Sequence, residues 1–240
     1  MNKSIYTFLL AACCLTACDD GLIYPETTSS AEGKTVVMEG EFTGLNGWPG
    51  NYRVSIAGFE NANDEYATVS KVITASDIKD GKLSVELSGL QGNITVVRLC
   101  ILDRLRRHIV TINETDISKS PEVITIDLGK IDASMFNIIQ QNFFDMRCTS
   151  CHGERARIAA DLDLTEGKSY QDLVNVPSQR LDGKLLVEPN KASESVLHTV
   201  INEEYVEGIS MKHYDIIQKE DRQVMLPLID AWINNGARED

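Results

Sequence analysis

The run Cys148-Thr149-Ser150-Cys151-His152 places two thiols three positions apart and an imidazole directly after the second. This spacing suits covalent attachment of a c-type haem. Each thiolate adds across one vinyl group to give a thioether, and the adjacent imidazole is held beneath the iron as its proximal ligand. Zinc and redox-dithiol chemistry use the same residue types. Zinc, however, needs four donors in a tetrahedron, and no second Cys/His pair follows at finger spacing. A thioredoxin-like dithiol belongs in a βαβ setting, which the surrounding pattern lacks. The pentapeptide therefore predicts one covalent haem c, with Cys148 and Cys151 as thioether donors and His152 as the proximal iron ligand.

Haem is attached outside the cytoplasm, and the N-terminus reads as an export signal. Lys3 supplies a positive charge, and residues 5–15 form an apolar stretch too short to span a bilayer. The stretch ends in Leu15-Thr16-Ala17-Cys18, which resembles the lipobox of bacterial lipoproteins and implies cleavage before Cys18 and acylation of its thiol; an ordinary signal peptide cut at small residues is the alternative. Asp19 and Asp20 resemble the acidic export signal of Bacteroidota-type surface lipoproteins. The expected location is the cell envelope, lipid-anchored, at the outer membrane or cell surface rather than the inner membrane. Residues 18–33 read as a tether, Thr/Ser/Glu-rich from about residue 22.

Loss of residues 1–17 removes only Lys3 and takes the formal net charge from −13 to −14. Such an acidic surface argues against nucleic acid as a partner. Of six cysteines, only Cys100 is neither at or before the lipid site nor in the haem motif. With no spare pair a structural disulfide is not expected, and Cys100, flanked by Leu99 and Ile101, reads as a small buried hydrophobe.

The hydrophobic period divides the chain. Residues 34–130 alternate with period two, as in Val36, Met38 and Phe42, in Leu83, Val85 and Leu87, and in Ile124, Ile126 and Leu128. Gly- and Asn-rich turns separate about seven short strands, which predicts an antiparallel, immunoglobulin-like all-β sandwich. Trp48, beside Pro49 and two glycines, reads either as a ligand-stacking residue or as a plug over the end of the sandwich. Over residues 131–240 the period becomes helical. Ser134 is a candidate N-cap for a helix carrying Phe136, Ile139 and Phe143 into the haem motif. Residues 169–175 and 193–202 suggest two short helices, the second with Ser193 as N-cap. The last helix, about 220–235, buries Val224, Leu228, Ile229, Trp232 and Ile233, contains Pro227 and ends at Gly236.

From about residue 132 onward the chain resembles the planctomycete-type monohaem cytochrome c domains. The resemblance rests on the haem run followed by Gly153, on Asp161-Leu162-Asp163-Leu164, on the segment from Glu188-Pro189-Asn190 to Ser195-Val196-Leu197, and on Ala231-Trp232-Ile233-Asn234-Asn235-Gly236-Ala237. It implies an all-α, class I cytochrome c-like C-terminal domain, hence a two-domain chain. It also implies a thioether over the distal haem face from the loop before the last helix. Met211 fits that position, with His213 as the alternative because Lys212-His213 stands where the family has proline. Met225 and His198 read as core and structural residues. Phe143 or Phe144 is expected against Trp232. Arg155, Arg157 and Arg180 could pair with propionates or simply be solvated.

The expected function is a membrane-anchored electron carrier, not an enzyme, with an unidentified redox partner protein. A surface glycan- or protein-binding lipoprotein with an accessory haem domain is the alternative. A dihaem peroxidase would need a second Cys-x-x-Cys-His, which the sequence lacks.

Overall fold

The structure is a computed structural model that describes residues 32–153 and 158–240. The export signal, Cys18, the tether up to residue 31, Arg155 and Arg157 lie outside the described residues.

Eight strands form the N-terminal part: β1 (Lys34–Thr43), β2 (Tyr52–Phe59), β3 (Val69–Val72), β4 (Ile78–Lys79), β5 (Lys82–Leu90), β6 (Val96–Asp103), β7 (His108–Asp116) and β8 (Val123–Asp132). They make two four-stranded sheets, ordered β4-β5-β1-β8 and β3-β2-β6-β7. Register follows the apolar alternation. Val36 and Met38 of β1 stand opposite Leu87 and Val85 of β5, so the buried residues of both strands share one face. Val54 and Ile56 of β2, with Val97, Leu99 and Ile101 of β6, supply the facing layer of the core.

The outer face of β2 and β6 is buried as well. Ala57, Phe59, Ala67, Val96, Cys100 and Leu102 form a second apolar cluster there. The segment after β2 folds over it, held by hydrogen bonds from the Ala67 amide to the Arg106 carbonyl, 3.0 Å, and from the His108 amide to the Glu65 carbonyl, 2.8 Å. Burial pushes the Cys100 thiol up to about 12, so it is neutral at ordinary pH. Arg98 is 4% exposed on this face. Its guanidinium lies 4.5 Å from the centre of the Phe59 ring, pairs with Glu114 at 2.6 Å and donates to the Ala62 carbonyl. A buried guanidinium costs much less when its donors are satisfied in this way.

His108 sets its ring edge-on to Phe59, with centres 5.9 Å apart. Burial holds its imidazole down to about 4, with help from the Arg98 charge and against the pull of Glu114. The unfolded chain, at about 6.5, therefore takes up a proton before the folded one does. Stability is complete above about pH 6.5 and is lost as pH falls to about 4. His108→Gln, whose amide stays neutral, is expected to remove about 2–3 kcal/mol of that pH dependence. Urea unfolding of both proteins at neutral and acidic pH measures it; parallel pH slopes would refute it.

The architecture departs from a purely antiparallel all-β sandwich followed by a large all-α unit. The fold is mixed, about 32% strand and 28% helix, so neither type dominates the chain. β1 and β8 run parallel, Val36 beside Ile124 and Met38 beside Ile126. Both strands alternate apolar and polar residues, and such alternation carries no direction. Past Asp132 the α-helices are α1 (Met135–Ile139), α2 (Ser169–Leu173), α3 (Val196–Asn202), α4 (His213–Ile216) and α5 (Lys219–Asn234). Only α5 exceeds seven residues. α1 gives way at once to a nine-residue π-helix, Gln140–Cys148. Ser134 caps α1 by accepting from the Asn137 amide at 3.4 Å. Ser193 is not the cap of α3 but lies in a 3₁₀ turn, Ala192–Glu194, and Ser195 stands at the N-cap. α5 runs through Pro227 and closes on Gly236, whose φ of 94° suits a residue without Cβ.

One core runs continuously from the sandwich into the helical part, through Ala133, Met135 and Phe136 to Trp232. Trp48 packs against it and donates from Nε1 to the Ala133 carbonyl at 2.8 Å. The indole therefore braces the junction instead of presenting a stacking face to solvent. Asn235 donates to the Gly47 carbonyl at 2.7 Å, which fastens the end of α5 to the same corner.

Candidate haem site

The pentapeptide closes as a helical turn. The Cys148 carbonyl accepts from the Cys151 amide at 3.1 Å and from the His152 amide at 2.9 Å. Positions i, i+3 and i+4 of such a turn share a face, which puts both thiols and the imidazole on one side of the chain. Gly153 follows because a Cβ there would collide with the Thr149 carbonyl. Cys148 is half-buried against the core and Cys151 is exposed. Burial, then the neighbouring Cys151 and Asp145, push the Cys148 thiol up to about 12.

His152 is held from two directions. Its carbonyl accepts from the Leu164 amide at 2.6 Å, and its Nδ1 lies 3.0 Å from the Ala159 carbonyl. With Nδ1 as the donor, Nε2 carries the free lone pair; a backbone carbonyl on the second nitrogen is the usual way of orienting a metal-binding imidazole. The strand of chain that does this is unusual in its backbone. Ala160 and Asp161 both have positive φ, 57° and 52°, a conformation costly for residues with a Cβ.

His152, Ala160, Asp161 and Leu162 form one wall of a cavity. Leu173 of α2, Leu186, and Val196, Leu197 and Val200 of α3 form others. The cavity volume is ≈ 220 Å³, below the ~300–1,000 Å³ usual for small-molecule sites, and the cavity continues outward into an open mouth. The lining is mainly apolar, and the exposed Arg180 contributes a cation to it. An apolar cavity with a restrained imidazole on its wall suits a flat, largely apolar macrocycle carrying a metal; Cys148 and Cys151 lie on the adjoining turn and do not line it.

His213 opens α4 and lines the same cavity. Its ring centre is 6.2 Å from that of His152, with the two planes 20° apart. Burial and the neighbouring His152 lower its affinity for a proton, while the Met211 backbone acts the other way. Its Nδ1 is buried and makes no hydrogen bond of ordinary geometry. Met211 is 55% exposed and lines a separate small crevice beside Val200, Ile209 and His213. His198 is engaged elsewhere, its Nδ1 2.7 Å from the Asp230 carboxylate, and Met225 is in the core.

Gln140, which the apolar pattern of its helix hides, proves central. It is 2% exposed. Its Nε2 donates to the Asp145 carboxylate at 2.6 Å and the Leu164 carbonyl at 2.9 Å, and its Oε1 accepts from Ser169 at 2.5 Å. The π-helix, the loop that restrains His152 and the start of α2 are thereby tied to one amide. Asp163 fixes the same loop by accepting from Thr165 and Lys168, which hold its carboxyl down to about 2. The only sequence signal for Gln140 is a polar residue within an apolar helical run.

Comparison with known protein families, with curated proteins and with solved structures finds no match to the chain.

Proposed function

We propose that the chain is a membrane-anchored, monohaem c-type electron carrier, tethered to the cell envelope through acylated Cys18. The observation that carries the reading is the restrained imidazole of His152 on the wall of an apolar cavity, one helical turn from the thiol of Cys148. A haem bound there supplies a one-electron iron couple. The chain's own part is to hold and to exclude. Cys148 and Cys151 offer thiols from the same turn, and the Ala159 carbonyl fixes the tautomer and the ring angle of His152. The apolar walls limit water and so favour the less charged state of a bound metal centre. Arg180 offers a cation to an anionic group at the cavity.

The test is expression in a host that attaches haem c. The wild-type protein is expected to keep its porphyrin through acid–acetone extraction and denaturing electrophoresis and to gain the mass of one haem. The double variant Cys148→Ala, Cys151→Ala is expected to lose both signals. A colourless wild-type protein without added mass, from a host that matures a control cytochrome, would sink the proposal.

A further inference from the structure

We infer that His213, rather than Met211, is the second axial ligand, so that the metal is gripped between two imidazoles; the inference rests on the haem reading above. The first support is distance. Metal–imidazole bonds of about 2.0–2.1 Å, with about 1.1 Å from a ring nitrogen to its ring centre, put the centres of two opposed axial imidazoles about 6 Å apart. The His152 and His213 centres are 6.2 Å apart in a stacked arrangement with planes 20° from parallel; the separation matches, and ligation requires the two rings to turn edge-on toward a shared metal. The second is placement: both rings line one cavity, which Met211 does not reach, its side chain being half-exposed beside another crevice. An offset pair of aromatic rings spans the same range of distances, and the spectra of the matured holo-protein distinguish that packing from ligation.

Placement in the chain explains how this arises. His213 is the first residue of α4, and α4 leads into α5, whose Asp221 pairs at 2.7 Å with Arg147 of the π-helix. The histidine that opens α4 is therefore tied back toward the turn that carries His152. Two imidazoles donate more strongly to ferric iron than an imidazole and a thioether, so the inferred pair lowers the reduction potential relative to His/Met ligation. It suits exchange with low-potential donors and acceptors.

The experiment uses the matured holo-protein. Near-infrared absorption and low-temperature spin-state spectra of the ferric form are recorded for wild type, Met211→Leu and His213→Gly. The wild type is expected to be low-spin with no sulfur-to-iron charge-transfer band, and Met211→Leu to be indistinguishable from it. His213→Gly is expected to lose the low-spin signature, to bind CO when reduced, and to regain low spin on addition of imidazole. A sulfur-to-iron band in wild type that disappears in Met211→Leu overturns the inference while leaving the haem reading intact. So does a His213→Gly protein that stays low-spin and refuses CO. Should His213→Gly fail to accumulate, the wild-type and Met211→Leu spectra decide the matter alone. Absence of covalent porphyrin from the wild type overturns the haem reading, and this inference with it.

Discussion

Trp232→Ala is expected to destabilise the folded chain by about 3–5 kcal/mol, the usual cost of emptying a large aromatic site in a packed core. Trp232 is 2% exposed and closes an aromatic cluster that joins three helices. Its ring lies 5.2 Å from Phe136 of α1, and Phe136 in turn lies 5.2 Å from Tyr170 of α2. The indole Nε1 donates to the Arg238 carbonyl at 2.7 Å, and the Tyr170 hydroxyl donates to the Ala237 carbonyl at 3.0 Å, so the chain end after α5 is fastened to the same cluster. Truncation therefore removes apolar contact and leaves a carbonyl without its donor. Trp232→Phe separates the two effects: it should recover most of the packing and keep a deficit of about 1–2 kcal/mol for the lost hydrogen bond. Urea unfolding followed by far-ultraviolet circular dichroism measures both. A loss below about 1 kcal/mol for the alanine variant would mean that the cluster does not hold the helices to the sandwich.

The second large effect is expected at Gln140. Gln140→Ala should cost about 2–4 kcal/mol, because it strands a buried serine hydroxyl and a carbonyl as well as leaving a small void. Gln140→Leu fills the volume and should be destabilised almost as much, since the polar partners stay unmet. The local consequence bears on the site. The Leu164 carbonyl is held by Gln140, and the Leu164 amide holds the His152 carbonyl. Hydrogen exchange at the Leu164 amide is therefore expected to accelerate in the alanine variant more than exchange in the strands β2 and β6. If the leucine variant matched wild type in stability, the polar network would be ornamental and the loop would be held by packing alone.

Much of the β part was legible because alternation in a strand has a single structural solution. Leu83, Val85 and Leu87 can be buried together only as one face of a strand. The pairing of that strand was not legible. That β8 returns to lie parallel to β1 depends on where the chain is led by its connections, and Ile124, Ile126 and Leu128 look the same in either direction. On the helical side the last helix was readable from its apolar stripe and its Gly236 terminus. The first was misjudged: Phe136, Ile139 and Phe143 suit an α-helix, but the chain widens into π geometry after Ile139. Phe136 is the ring against Trp232, and Phe144, 6.2 Å from Phe136, and Phe143, 6.0 Å from Phe144, extend the same cluster at 0% exposure.

By itself, then, the sequence determined the local chemistry: two thiols and an imidazole on one turn, a glycine that the turn requires, strands that must bury alternate residues, and an asparagine at Asn190 able to adopt its φ of 68°. Covalent spacing and short-range sterics suffice for each of these. Only the tertiary structure decided what faces His152. Met211 and His213 are two residues apart, and no local rule ranks one over the other. The choice falls to α4, anchored through α5 to the π-helix, because packing of elements distant in the chain determines which side chain is turned inward and which is left to water.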